Sequence, residues 1–253
     1  MLTNRQEKLL NIIIDEYIKT AEPISSKALV KCKLFDLSSA TLRNEMNDLE
    51  HMGYLAQLHT SGGRVPTDRG YRFYVDNLIN SDDFGIHSNW QKKVDYVLAG
   101  ISEDPRDINK TIAQLLSDLS ESVVIAGVAE EDYFYKTGLA SLFESPEFKE
   151  INKVFRMASF FDEFDRMFNQ VEKEFFREFY GDRQGVGDVN VFIGRENRHP
   201  SIKDETVMTA RYNLPHQLVG SLTIVGPTRM DYRKNIGLVR YTTKKINQLT
   251  RNI

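Results

Sequence analysis

The run SSATLRNEMNDL at residues 38–49 gathers the side chains with most to offer a partner. Ser39, Thr41, Arg43, Asn44 and Asn47 supply two short hydroxyls, one guanidinium and two amides. In a helix, Ala40, Leu42, Met46 and Leu49 are expected to form the buried stripe, the last three standing at i, i+4 and i+7. The polar set then falls on the opposite face. Arginine pairs bidentately with guanine and asparagine with adenine, and short hydroxyls near a helix N-terminus suit phosphate oxygens. Arg43 and Asn44 are therefore candidates for reading base edges. Ser39, Thr41 and Lys27 are candidates for phosphate contacts, which fix orientation without reading sequence. An ordinary amphipathic surface helix shows the same stripe, so the flanking elements decide between the two readings.

Those flanks are ordered. Residues 3–20 read as a helix in which Thr3 and Gln6 make a capping box. Leu9, Leu10, Ile13, Ile14, Tyr17 and Ile18 form its apolar face. Ala21-Glu22-Pro23 ends it, and Ser25 or Ser26 caps a short helix through Ala28, Leu29 and Cys32. Ser38 and Ser39 are both good caps for the next helix, and Gly53 stands where a C′ glycine belongs. Residues 54–59 alternate as a strand, Ser61-Gly62-Gly63-Arg64 is a tight turn, and Val65 begins a return strand before Pro66. Three helices and then a hairpin is the order of a winged helix-turn-helix. In that fold a wing tracks the phosphate backbone, which puts Arg64 at the hairpin tip as a contact to a phosphate or a minor groove. Residues 67–80 read as a helix presenting Tyr71, Tyr74, Val75 and Leu78. Arg69 and Arg72 add basic charge or are merely solvated, and His59 is read as structural.

Composition sets bounds on this reading. The chain has 253 residues, of which 41% are hydrophobic and 27% charged, the balance of a soluble protein with a sizeable core. Net charge is −3, and the first 80 residues carry 10 basic and 10 acidic side chains, so any nucleic-acid contact must rest on a local face. A single cysteine, Cys32, rules out an internal disulfide or a multi-cysteine metal site and suits a reducing cytosol. No secretory segment opens the sequence, and no apolar run approaches the roughly 18 residues a membrane span needs. A cytoplasmic location without membrane association is expected.

Residues 80–88, NSDDFGIHS, are polar and mark a domain boundary. Two amphipathic helices follow, built on Trp90, Val94, Val97, Leu98 and Ile101 and on Ile108, Ile112, Leu115, Leu116 and Leu119. Residues 122–128 are β-rich. Ser145-Pro146-Glu147 has the signature of a helix start. Residues 147–180 form a helical region whose phenylalanines, among them Phe148, Phe155, Phe161, Phe164, Phe168, Phe175 and Phe179, serve as core or, next, as a dimer interface. Residues 181–187 break it. Strands are expected over 189–193, 206–212 and 218–225, and a closing helix uses Ile236, Val239, Ile246 and Leu249. Consecutive strands across polar turns suggest an antiparallel sheet with helices on one face. Between the last strand and that helix, Gly226-Pro227-Thr228-Arg229-Met230 holds either a structural arginine or an anion site. Catalysis finds no support: the five histidines lack metal spacing, and no HExxH or GxSxG occurs.

The runs SSATLRNEMNDLEHMGYL and HTSGGRVPTDRGYRFYVD closely resemble the N-terminal domain of the HrcA family, the heat-inducible transcription repressors of bacteria. GLASLFESPEF at 138–148 and VGSLTIVGPTRMDY at 219–232 carry the resemblance into the second half. It implies an α+β chain: an N-terminal winged helix-turn-helix over residues 1–80, a linker at 81–88, and a GAF-like antiparallel sheet packed with helices over 89–253, serving regulation and dimerisation. It further implies a homodimeric repressor on an inverted-repeat operator in double-stranded DNA upstream of chaperone genes. Such repressors depend on a GroEL-type chaperonin and are relieved when heat diverts it. No cofactor is implied. The DNA-binding set is then Lys27, Ser39, Thr41, Arg43, Asn44, Asn47 and Arg64. One departure stands out: the family carries an inserted dimerisation segment where this chain runs from Val128 to Tyr133 through AEED. The dimer must then use the phenylalanine-rich region or the closing helix. Two other readings remain open: a regulator whose GAF-like domain senses a small molecule, and a protein-interaction module.

Overall fold

The computed structural model describes residues 2–31, 37–58, 62–80, 86–128, 133–164 and 188–250. The chain divides into two compact units, Met1–Asp83 with Thr228–Met230, and Phe84–Pro227 with Asp231–Ile253.

In the first unit, helix α1 (Asn4–Thr20) begins at a reciprocal capping box: Gln6 N donates to Thr3 Oγ1 at 3.3 Å and Thr3 N to Gln6 Oε1 at 3.1 Å. It buries Leu9, Leu10, Ile13 and Ile14 and stops at Ala21, whose φ of 55° is left-handed. Helices α2 (Ser26–Lys31) and α3 (Ser39–His51) follow, then strands β1 (Leu55–Gln57) and β2 (Arg64–Pro66), antiparallel with Ala56 opposite Val65. Helix α4 (Asp68–Asn80) buries Tyr71, Tyr74, Val75 and Leu78. Thr67 joins α4 to the hairpin, its Oγ1 accepting from Gly70 N at 3.1 Å and donating to Gly53 O at 2.7 Å. Thr228–Met230 group with this unit because Arg229 Nη1 donates to the carbonyl of Ile18 at 2.7 Å, the structural reading of that arginine.

The second unit opens with α5 (Ser88–Leu98) and α6 (Pro105–Ser120). Asp104 caps α6, accepting from Arg106 N at 2.8 Å, and Pro105 takes the first helical position. Strands β3 (Val123–Val128), β4 (Phe134–Thr137), β5 (Val189–Ile193), β6 (Glu205–Asn213) and β7 (Val219–Pro227) form one antiparallel sheet in the order β4-β3-β7-β6-β5. Between β4 and β5 lie α7 (Leu139–Glu144), a 3-10 turn at Pro146–Phe148 and a helix over 151–164, here α8. Helix α9 (Tyr232–Thr250) closes the unit.

Helices cover both faces of this sheet, where one covered face was expected. Thr206 meets Tyr232 of α9 at 2.8 Å and Tyr212 bonds Asn109 of α6, while Val123, Val207 and Val225, on the opposite face, pack with Met157, Phe160, Phe161 and Phe164 of α8. That is why all six residues of β3, VVIAGV, are buried: a strand covered on both sides is apolar throughout. Ser145 begins only the 3-10 turn, and the helix it seemed to announce starts at 151. Phe148, Phe161 and Phe164 belong to the core, whereas Phe155 is 64% exposed. On α9, Ile236, Val239 and Ile246 are buried and Leu249 is exposed. The expectations for Cys32, His59, Phe168, Phe175, Phe179, the glycine break at 181–187 and residues 81–85 of the linker fall outside the described residues. Among the described residues, no helix is long and apolar enough to cross a membrane.

Candidate nucleic-acid interface

Helix α3 is fixed at both ends by hydrogen bonds the sequence encodes. At its start, Ser38 Oγ accepts from Thr41 N at 3.1 Å and meets Thr41 Oγ1 at 2.9 Å. At its end, Gly53 adopts φ +79°, and Gly53 N and Tyr54 N reach back to Glu50 O and Leu49 O, each at 2.9 Å. This double closure is the Schellman arrangement that a left-handed glycine permits. The helix therefore has one length and one rotation.

Its buried stripe is Leu42, Glu45, Met46 and Leu49, at i, i+3, i+4 and i+7. Ala40, expected in that stripe, is exposed. The reason is angular: Ala40 precedes Leu42 by two residues, about 200° around an α-helix. Glu45 fills the stripe instead, its carboxylate paired with Arg5 of α1. The outer ridge is then Ala40, Arg43, Asn44 and Asn47, again at i, i+3, i+4 and i+7, with Ala40, Arg43 and Asn44 exposed and Asn47 half-buried.

Beside this ridge runs a groove of about 530 Å³, lined by Ser25, Lys27, Ser39, Arg43, Asn44 and Arg64 among others. Five residues singled out from sequence thus share one concavity: Lys27, Ser39, Arg43, Asn44 and Arg64. Thr41 is engaged with Ser38, and Asn47 lies beside Arg64. Ser39 Oγ also ties α3 to α2, 2.9 Å from Ser26 Oγ. Lys27 and Arg43 make no ion pair among the described residues. They give the groove its uncompensated positive charge.

Arg64 is placed differently from its expectation. It is the first residue of β2 rather than the hairpin tip, its side chain only 11% exposed. Its Nε lies 2.7 Å from Glu50 Oε2, and its Nη2 donates to Asn47 Oδ1 at 2.7 Å. Its backbone forms a bridge with Ile24, Ile24 N to Arg64 O at 2.9 Å and Arg64 N to Ile24 O at 2.8 Å. Sequence reasoning missed this bridge. The signal was Gly63: a Cβ there would stand 2.5 Å from the carbonyl carbon and oxygen of Pro23, so only glycine lets the two backbones approach. Arg69 is also structural, donating to Met52 O at 2.8 Å and lying 4.6 Å from the centre of the Tyr54 ring. No cluster of potential metal ligands occurs among the described residues.

A rigid helix that shows guanidinium, amide and hydroxyl groups over a cationic groove, in a chain with a separate α+β unit, is the build of a DNA-binding transcription regulator. The comparisons name the kind. Residues 88–236 match the model of the HrcA protein C-terminal domain, and the chain belongs to the HrcA family. The "Heat-inducible transcription repressor HrcA" of Thermoanaerobacter pseudethanolicus is 29% identical, the match covering 100% of this chain and 98% of the relative. That of Halalkalibacterium halodurans is 25% identical over 98% of each. The alignment with the first spans 348 positions against 253 residues here, so that relative carries residues without a counterpart in this chain. A crystal structure at 2.2 Å resolution, described only as a hypothetical protein, shares the fold with a TM-score of 0.78 at 18% identity, covering 100% of this chain and 99% of its own.

Proposed function

We propose that this chain is a homodimeric, sequence-specific repressor of chaperone genes that binds an inverted-repeat operator and is relieved by heat. In this reading residues 1–80 are a winged helix-turn-helix, with α3 as the recognition helix and the β1–β2 hairpin as the wing. Residues 81–88 connect it to a GAF-like regulatory and dimerisation domain over 89–253. Arg43 addresses guanine O6 and N7 and Asn44 addresses adenine, from adjacent positions on one ridge. Lys27, Ser39 and Thr41 meet phosphates, which set register. The partners are double-stranded DNA, a second copy of the chain, and a GroEL-type chaperonin that favours the active form; the setting is the cytoplasm.

One observation carries the reading: the exposed Arg43–Asn44 pair stands over a groove whose Lys27 and Arg43 charges are uncompensated, on a helix capped at both ends. A protein-binding surface has no need of unpaired cations around an amide, whereas phosphates do call for them. The test is a gel-shift titration at fixed salt, with DNA from upstream of the organism's own chaperonin genes against shuffled DNA of equal length. Selective retardation of the first is expected, weakening steeply as salt is raised. Equal retardation of both would leave a non-specific binder and overturn the repressor reading.

A further inference from the structure

Arg64 joins three parts of the first unit. Its backbone bridges Ile24, just before α2, its chain position starts β2, and its guanidinium is spent on α3, where Asn47 and Glu50 lie one helical turn apart. Reaching a phosphate would mean giving up the 2.7 Å hydrogen bond to Asn47 and the 2.7 Å ion pair with Glu50 from a largely buried position, and the charge is already balanced by Glu50. Among the described residues, no comparable ion pair holds Arg43 or Lys27. The contact to Asn47 also has a directional result. A guanidinium only donates, so it fixes the carboxamide with Oδ1 towards Arg64 and leaves the Nδ2 edge for a partner. Bidentate recognition of adenine needs both edges of the amide; an amide held this way donates to an acceptor.

We propose that Arg64 is a positioning residue for DNA recognition: it locks the hairpin to α3 and orients Asn47 as a pure donor, without itself touching DNA. Asn47 then addresses an acceptor, a purine N7 or O6 or a phosphate oxygen. The inference rests on the DNA-binding reading above and assigns two of its residues new roles.

Salt-dependent binding separates this from a direct phosphate contact. Operator and random-DNA affinities are measured across a salt series for the full-length chain and for Arg64→Met, Arg64→Lys and Glu50→Gln, with circular dichroism melts as the folding control. A positioning role predicts that Arg64→Met loses roughly ten- to a hundredfold on operator, keeps its random-DNA affinity within about twofold, and keeps the salt slope. Arg64→Lys should fail to rescue, because an ammonium cannot span Asn47 and Glu50 as a planar fork does. Glu50→Gln should weaken operator binding too. A direct phosphate contact predicts the reverse sign there, since freeing Arg64 from Glu50 strengthens binding to any DNA. It also predicts a slope smaller by about 0.9 in Arg64→Met and near-complete rescue by lysine. Those results, or wild-type affinity in Arg64→Met, overturn the proposal. Should Arg64→Met not fold, the sign of the Glu50→Gln effect decides. Failure of the unmodified chain to bind any DNA would instead remove the DNA reading itself.

Discussion

Arg43 and Lys27 share a groove, and in the proposed DNA binding they take different roles. Arg43 stands on the exposed α3 ridge next to Asn44, while Lys27 sits on α2 in the same groove. Arg43→Ala is expected to cost about 1–3 kcal/mol on the operator and to relax the preference at one base position. Lys27→Ala should weaken operator and random DNA alike and make the salt slope shallower by about one. Equal losses on both DNAs for Arg43→Ala would remove its base-reading role. A different residue governs pH. Glu205 opens β6 with its side chain 1% exposed and Oε1 3.1 Å from Lys153 Nζ on α8. Burial, reinforced by Asp204 and Glu147, raises its carboxyl from 4.5 to about 7 despite the pull of Lys153. Between those values the folded chain holds a proton that the unfolded chain has released. This contribution is therefore fully present below about pH 4.5 and is lost as pH rises through 7, a change of up to roughly 3 kcal/mol. The melting temperature of the second unit should fall between about pH 4.5 and about pH 7 and level off above that, and Glu205→Gln should flatten that fall. An unaltered slope in the variant would put the titration on another group.

Among the elements, the hairpin depends most on a single atom that is not there. Gly63→Ala places a Cβ 2.5 Å from the backbone of Pro23, so β2 must move away from the segment before α2. A loss of roughly 1–3 kcal/mol in the stability of the first unit is expected, together with weakened operator binding although no charge has changed. Gly100→Ala, with nothing within 4 Å of its new methyl, serves as the neutral control in the same denaturation series. If the two behave alike, the close approach at Gly63 is not under strain. Elements with strong local signals were legible in the sequence: the Thr3–Gln6 box starts α1, Gly53 closes α3, and β5 occupies 189–193 as expected. What escaped lacked local contrast. The four residues of β4 are all half-buried, so no alternation marks them. Helix α7 has six residues and no side-chain cap. The candidate site divided along the same line: the Arg43–Asn44 ridge follows from helical period alone. Arg64 does not, because its contacts with Asn47, Glu50 and Ile24 span 14 to 40 positions of sequence, distances that periodicity does not address.

At the scale of the whole molecule, the phenylalanine-rich stretch resolves into two populations. Phe148, Phe160, Phe161 and Phe164 fill the core under the sheet, while Ile151 and Phe155, one turn apart on α8, are 62% and 64% exposed. Substitution at the first group unfolds the unit; substitution at the second need not. If the proposed homodimer uses this exposed face, Phe155→Asp gives folded monomers, by circular dichroism and sedimentation, with reduced operator binding, because the proposed inverted repeat requires two linked recognition helices. A variant that remains dimeric places the interface elsewhere. The order of strands reaches further still, into how the chain is made. β3 pairs with β4, a few residues on, and with β7, which begins only at Val219. A ribosome adding roughly 5–20 residues per second needs on the order of 5–20 seconds to cover the gap. For that time Val123–Val128, apolar at every position, lacks the partner on one of its edges. Translation slowed between codons 129 and 218 is expected to prolong that exposure and to lower the fraction of chain recovered folded, read as the soluble fraction against an unslowed control.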